Sequence, residues 1–133
     1  MPRPPLPTPV VDFLRSPNSA VIASVRPDGQ PVSVATWYLL ADDGRILVNM
    51  DAGRKRLDYL RADPRVSLTV LGQDWYQHVS VQGRIVDLGP DPDLAGIDRV
   101  SRHYTGHAYP TRDRDRVNGW IEIDTWHGWH IRT

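Results

Sequence analysis

Hydrophobic and polar residues alternate over several short stretches of the chain, and this alternation predicts β-strands. The predicted strands cover residues 20–26, 31–40, 46–50, 66–71, 78–86, 118–126 and 128–132. Two turn sequences, Pro27-Asp-Gly-Gln30 and Asp42-Asp-Gly44, separate the first three strands and supply the residues that tight turns require. The alternation within residues 31–40 is typical of a strand with one buried face.

Helical spacing of apolar residues occurs in three other segments. Residues 10–14 form a short helical candidate that ends before Ser16-Pro17. A second helix is predicted over residues 53–62 and ends at Asp63-Pro64. Asp91-Pro92 supplies an N-cap and a first-turn proline for a longer helix. The residues at helical spacing in that helix are Leu94, Ile97, Val100 and Tyr104.

These elements together predict a mainly β fold with short helices. Because five or six antiparallel strands precede the longer helix and more follow it at close spacing, a small barrel is favoured. A glycine inside a predicted strand, Gly83, indicates a bulge or a tight bend. The proline-rich residues 1–8 are expected to form a flexible arm, and residues 9–133 a single domain.

Composition narrows the function mainly by exclusion. The formal net charge is zero, so the overall charge does not favour nucleic acid. The chain has no cysteine, which excludes disulfides, thiolate metal sites and thiol nucleophiles. No apolar run approaches transmembrane length, and the proline-rich start is unlike a signal peptide. We therefore expect a cytoplasmic protein without a nucleic-acid or membrane partner.

The five histidines raise the question of a metal site. His103 and His107 are four residues apart, and His127 and His130 are three apart. Gly106 weakens the helix between the first two, and no glutamate follows His103 as a zinc-protease pattern requires. The chain also lacks the glycine patterns of nucleotide-binding loops and of nucleophile elbows. We expect no metal site.

Three consecutive basic residues, Arg54, Lys55 and Arg56, form the clearest candidate binding site. They follow a predicted strand and stand where a helix is expected to begin. A helix start offers free backbone N–H groups and a partial positive charge, and the three cationic side chains add to both. This combination suits a phosphate or a polyanionic cofactor tail. An exposed basic surface without a ligand is the alternative.

The chain resembles the split β-barrel flavin and deazaflavin oxidoreductases, the family related to pyridoxamine 5′-phosphate oxidase. The resemblance covers residues 10–130 and is carried by the order and spacing of five short motifs. The motifs are Val25-Arg-Pro-Asp-Gly-Gln-Pro31, Arg54-Lys-Arg56, Leu60-Arg-Ala-Asp-Pro-Arg-Val-Ser-Leu68, Val81-Gln-Gly-Arg84 and Tyr104-Thr-Gly-His-Ala-Tyr-Pro110. Within the family the chain is most similar to the actinobacterial branch that uses the deazaflavin coenzyme F420 in place of FMN.

The resemblance implies a homodimer with the cofactor in a groove between two subunits. The cofactor phosphate is expected at Arg54, Lys55 and Arg56. The commoner family pattern places a lysine two residues after the first basic residue, whereas this chain has Arg56 there and Lys55 between. Arginine binds phosphate at least as well as lysine, so the role is compatible with the change.

The resemblance also implies roles for residues outside the basic triplet. The cofactor ring system is expected against the backbone of Val34, Ala35 and Thr36. A segment reaching across from the partner subunit corresponds to Trp75, Tyr76, Gln77 and His78, and His78 is the candidate proton donor. The expected substrate-side residues are Trp37, Tyr38, Tyr104, His107 and Tyr109. Tryptophan and tyrosine suit cofactor stacking, but ordinary core or dimer packing explains such residues too, above all Trp120 and Trp126.

The activity implied by the resemblance is an F420-dependent reductase that transfers a hydride between the deazaflavin and a small organic substrate. A deazaflavin lacks the N5 nitrogen and reacts poorly with dioxygen, which favours a reductase over an oxidase. One alternative is an FMN-dependent oxidase or reductase of the same fold. The other is a non-catalytic protein that binds a flavin, F420 or haem.

Overall fold

The computed structural model describes residues 1–131. Its helices are α1 (Thr8–Arg15), α2 (Arg56–Ala62) and α3 (Ala95–Thr105), and a single 3₁₀ turn, Pro92–Leu94, precedes α3. Its strands are β1 (Ser19–Val25), β2 (Pro31–Thr36), β3 (Leu39–Leu40), β4 (Ile46–Asp51), β5 (Arg65–Leu71), β6 (His78–Pro90) and β7 (Arg116–Trp129). None of the helices in this part of the chain has the length and apolar character needed to cross a membrane.

The strands form one antiparallel sheet in the order β2-β1-β5-β6-β7-β4-β3. The two outermost strands, β2 and β3, are nevertheless consecutive in the chain, since only Trp37 and Tyr38 lie between them. Two residues cannot span a flat sheet of seven strands about 4.8 Å apart. The sheet is therefore curled so that its two edges meet, and the predicted small antiparallel barrel is confirmed.

The single strand predicted over residues 31–40 is wrong, because Trp37 and Tyr38 interrupt it. Its expected buried face is also wrong for β2, where Val34 remains 43% exposed. None of the β2 residues belongs to the buried core, and β2 lies at an edge of the sheet. Tyr38 turns into the core instead, where its hydroxyl donates to the Leu14 carbonyl over 2.7 Å.

The helix predictions hold in position, although all three starts differ, and α1 begins at Thr8 and not at residue 10. Helix α2 begins at Arg56, not at residue 53. Asp91 does not directly precede the first turn of α3, because Leu94 has a φ of 59° and the α-helix begins at Ala95. Asp91 nevertheless caps α3 from a distance, since its carboxylate accepts from the Gly96 N–H over 2.7 Å and from the Ile97 N–H over 2.9 Å.

The last two predicted strands are one long strand, β7, and the predicted residue 132 lies outside the described residues. The expected bulge is confirmed, because the register between β6 and β7 shifts between Gln82 and Gly83. A Cβ added at Gly83 would lie 2.0 Å from the Glu122 carbonyl oxygen. Only glycine allows the two strands to approach this closely.

The core lies inside the curled sheet and is closed by α1 and α2. Its largest buried side chains are Tyr38, Leu14, Ile22, Ile46, Leu57, Leu68 and Ile121, whereas Leu47 packs with Leu39 and Val100 in a second, smaller cluster. Each such aliphatic side chain contributes about 1.5–3 kcal/mol through removal from water. The proline-rich arm has one backbone contact with the barrel, in which the Trp126 N–H donates to the Pro2 carbonyl over 3.0 Å. The flexibility of the arm stays a prediction.

Candidate functional site

An open cavity of about 880 Å³ lies where β2, β4, β7 and α3 come together, beside the loop that leads into α2. Its polar lining includes the side chains of Asn49, Asp51, Arg54, Arg56, Thr111, Arg114 and Arg116. Its less polar lining includes Ala35, Trp37, Met50, Ile97, Val100, Tyr104 and Tyr109. This volume is in the range of cavities that hold a small molecule or a cofactor.

The basic triplet contributes two of its three side chains to the cavity. Arg54 and Arg56 line it, whereas Lys55 is exposed outside it and occupies the N-cap position of α2. The Arg56 guanidinium is half-buried, and its buried Nε has no hydrogen-bond partner among residues 1–131. Burial and the neighbouring charge of Arg54 lower the pKa of Arg56. A buried donor without a partner is costly, so this atom fits a ligand anion.

Two further arginines, at and just before the start of β7, reach the cavity, and no sequence motif predicted either of them. Arg114 donates through Nε to the Asp51 carboxylate over 2.6 Å. The hydrogen bond from the Gly53 N–H, and after it the bond from Arg114, lower the pKa of Asp51. Arg116 stands opposite Asp51 in the register of β4 and β7. The pairing of these distant strands brings the arginines to the cavity, so no local motif marks them.

A wall of three aromatic side chains faces the cavity. The Trp37 and Tyr104 rings are stacked with centroids 5.1 Å apart, and Tyr109 meets Trp37 edge-on at 6.3 Å. The Tyr104 hydroxyl donates to the Asn18 carbonyl over 2.7 Å, and burial raises the pKa of Tyr104 to about 12. The hydroxyl is therefore neutral at ordinary pH and fixes the ring. Such a wall offers a planar ligand a rigid surface.

The structure brings together only part of the residue set expected from the sequence. The expected residues that line the cavity are Ala35, Thr36, Trp37, Arg54, Arg56, Tyr104 and Tyr109. The expected residues that do not line it are Val34, Tyr38, Lys55, Trp75, Tyr76, Gln77, His78 and His107. Tyr38 is fully buried in the core, which makes contact with a substrate impossible without rearrangement.

The segment expected to reach across a dimer, residues 75–78, ends the connection between β5 and β6 and includes the first residue of β6. Trp75 is 62% exposed and stacks on Tyr76 with ring centroids 4.2 Å apart. Nδ1 of His78 lies 3.0 Å from the Trp75 carbonyl oxygen. No histidine lines the cavity within the described part of a single chain. A cross-subunit role for this segment stays a prediction.

The geometry is suited to binding an anionic, planar molecule. Arginine side chains supply charge-assisted donors, and the aromatic wall supplies a flat surface. No group of three histidines or carboxylates in residues 1–131 is placed to hold a metal ion.

The sequence matches the family model for pyridoxamine 5′-phosphate oxidase over residues 6–130. A solved structure described as an F420 reductase is 26% identical, with 92% of this chain and 98% of that chain covered and a TM-score of 0.82. The conserved hypothetical protein Rv2991 from Mycobacterium tuberculosis is also 26% identical, with coverages of 98% and 88% and a TM-score of 0.78. General Stress Protein 26 from Bacillus anthracis str. Sterne, 16% identical with 93% of each chain covered and a TM-score of 0.71, shares the fold. Comparison with curated proteins gives no match.

Proposed function

Since this chain belongs to the pyridoxamine 5′-phosphate oxidase family, we propose that it is an F420-dependent reductase that acts on a small organic substrate. The structural similarity to an F420 reductase over nearly the whole of both chains supports the deazaflavin in preference to FMN. The enzyme would work as a homodimer, with the cofactor between the cavity described above and the second subunit.

The observation that carries the proposal is the unpartnered Nε of Arg56 at an open cavity. A phosphate oxygen of the cofactor would accept from Arg56, and Arg54 would provide a second cationic contact at the same end of α2. The cost of burying an unpaired donor would then be removed on binding. Lys55 would contribute only a distant, solvent-screened charge.

The aromatic wall and the backbone around Ala35 and Thr36 would hold the planar ring system. When bound in its reduced form, the deazaflavin supplies a hydride to one carbon of an activated double bond. Trp37 and Tyr104 would orient the acceptor and limit the access of water. The protein's contribution is thus orientation and electrostatics.

The proton that completes reduction goes to the second carbon of the double bond. Within residues 1–131 the titratable groups of the lining are arginines, tyrosines and one aspartate, and none is a histidine, the side chain that most often acts as a general acid near neutral pH. The proton would come from solvent, or from His78 of the partner subunit if the exposed segment reaches the cavity in the dimer.

Two alternatives have specific support. An FMN-dependent enzyme is favoured by the family description, and the Arg54 and Arg56 side chains suit the phosphate of FMN equally well. A non-catalytic binding protein for a flavin or F420 is favoured by the absence of a lining histidine in residues 1–131, whereas a haem would need an axial ligand other than histidine from this lining.

Turnover separates the proposal from these alternatives. The purified protein would be mixed with reduced F420 and a panel of conjugated carbonyl compounds, and the return of oxidised deazaflavin absorbance followed. We expect substrate-dependent oxidation that is absent without protein. Binding of F420 without oxidation by any member of a broad panel would favour the carrier, and activity only with reduced FMN would favour the FMN enzyme.

A further inference from the structure

Arg116 is a cavity-lining arginine that is held in place by neighbouring side chains but forms no ion pair within residues 1–131. Its Nε donates to the Asn49 carbonyl oxygen, Oδ1, over 2.7 Å. Its guanidinium carbon lies 4.9 Å from the centre of the Tyr109 ring. The ion pairs within residues 1–131 do not include Arg116, although Arg112 and Arg114 close to it in sequence each pair with an aspartate.

The partner of Arg116 is itself held in place. The Asn49 amide nitrogen donates to Asp91 over 3.0 Å and to Asn118 over 2.7 Å. The Asn49 side chain is therefore oriented with its oxygen toward Arg116, and this orientation fixes the guanidinium plane. Because Nε is occupied, the two terminal nitrogens of the fork remain to bind a ligand. A planar fork with both terminal nitrogens available matches a carboxylate.

The charge of the cavity also exceeds what one phosphate neutralises. Arg54, Arg56, Arg114 and Arg116 line it, and Asp51 is the only lining carboxylate in the described part of the chain. Asp51 pairs with Arg114. A ligand anion at Arg54 and Arg56 would leave Arg116 with only the nearby Asp51 carboxylate, which Arg114 also shares. The Arg116 guanidinium is only half-exposed. A second anionic group is therefore expected in the occupied site.

The location of Arg116 indicates whether the cofactor or the substrate carries this second anionic group. Arg116 packs on Tyr109, and Tyr109 meets Trp37 edge-on, so the guanidinium continues the aromatic wall. It is positioned by β4 and β7, not by the start of α2 where the cofactor phosphate is proposed to bind. A planar substrate lying along Trp37 and Tyr109 would extend its end toward Arg116.

We propose that Arg116 is a specificity-determining residue that binds a carboxylate of the substrate, so that the substrate class is planar organic acids in preference to neutral analogues. This inference rests on the proposed function, because only that function makes the bound organic acid a substrate. The anion site itself is a property of the cavity and is measurable without the cofactor.

Isothermal titration calorimetry of the full chain with 2-naphthoate and with neutral 2-naphthamide tests the proposal. The two probes share a planar ring system and differ in charge. We expect the wild-type protein to bind naphthoate at least about tenfold more tightly, the range of one charge-assisted hydrogen-bonded pair. Arg116→Gln should abolish this preference, Arg116→Lys should retain part of it, and Arg56→Gln should retain it in full.

Thermal unfolding shows whether Arg116→Gln folds. If it does not, Arg116→Met takes its place, because this second neutral variant keeps apolar contact with Tyr109. The proposal is supported if the neutral Arg116 variant loses the preference for naphthoate over naphthamide while Arg56→Gln retains it. Any other pattern overturns the proposal, including a wild-type protein that shows no preference for naphthoate. A parallel F420 titration decides the reductase separately. Naphthoate selectivity without F420 binding would contradict the reductase and leave the anion site standing.

Discussion

Asp91 accepts a hydrogen bond from the side-chain amide of Asn49 over 3.0 Å, and this contact joins the helical part of the molecule to the cavity. The same buried carboxylate caps α3 through the N–H groups of Gly96 and Ile97. Asn49 in turn accepts from Arg116. One aspartate therefore fixes α3 against the barrel and, through Asn49, orients the arginine that we propose recognises the substrate.

Replacing Asp91 with alanine should lower the free energy of unfolding by about 2–3 kcal/mol, because the helix loses its cap and buried donors lose their acceptor. Urea denaturation of the two proteins measures the difference. Asp87→Ala, at an exposed position on β6, is the matched control and should change stability by less than about 0.5 kcal/mol. Equal stability of the Asp91 variant and the wild type would show that the hydrogen bonds accepted by Asp91 do not stabilise the fold.

The two cavity-lining members of the basic triplet should dominate cofactor binding. Arg54→Ala and Arg56→Ala are each expected to weaken F420 binding by about 1–3 kcal/mol, the usual cost of a lost charged hydrogen bond. Lys55→Ala, at the exposed position between them, should change it by less than about 0.5 kcal/mol. Quenching of tryptophan fluorescence on titration measures all three. A larger loss from Lys55→Ala than from Arg56→Ala would reverse the assignment.

Gly83→Ala should destabilise the barrel at its bulge. The added Cβ would lie 2.0 Å from the Glu122 carbonyl oxygen, so β6 and β7 must move apart. Overpacking of this kind costs about 1–3 kcal/mol. Gly89→Ala on the same strand is the control, since its Cβ would come no closer than 4.0 Å to another group. Comparable unfolding midpoints for the two variants would contradict the close approach at Gly83.

Alkaline pH should destabilise the protein through Tyr104. Burial raises the pKa of Tyr104 to about 12 from its ordinary value of 10.0, so the unfolded chain loses this proton first. The stability that this neutral phenol contributes is complete below about pH 10 and is lost as the pH rises through about 12, by about 2 kcal/mol. The free energy of unfolding, determined by denaturation at several pH values from about 9 to about 12, measures this loss.

Tyr104→Phe removes one of two buried phenols and should reduce the fall in stability; the remainder comes from Tyr38, whose pKa burial also raises. Tyr76→Phe, at a residue that is 54% exposed, should leave the fall unchanged. A wild-type profile that stays level up to about pH 12 would contradict the burial of the Tyr104 hydroxyl.

Most of the fold follows from local sequence patterns, and the exceptions have a common cause. Turn residues such as those around Gly29 and Gly44, both with positive φ, are set by local backbone chemistry and were predicted correctly. The break at Trp37 and Tyr38 was not, because it depends on the two sheet edges meeting. Alternation within residues 31–40 looks the same whether those residues form one strand or two.

The candidate site was predictable only where a local motif marks it. Three adjacent basic residues drew attention to Arg54 and Arg56, although the sequence could not separate them from Lys55. The difference arises because α2 begins at Arg56 and turns Lys55 to solvent. Arg116 carries no local signal, since its role depends on the pairing of β4 with β7 and on Asn49.

We propose that the cavity binds the deazaflavin coenzyme F420. Parallel titrations of the purified protein with F420 and with FMN, followed by tryptophan fluorescence, test it most directly, because Trp37 forms part of the cavity wall. We predict micromolar or tighter F420 binding, weaker FMN binding, and F420 binding that Arg56→Ala weakens by about 1–3 kcal/mol. Tighter binding of FMN, or F420 binding that Arg56→Ala leaves intact, would contradict the account.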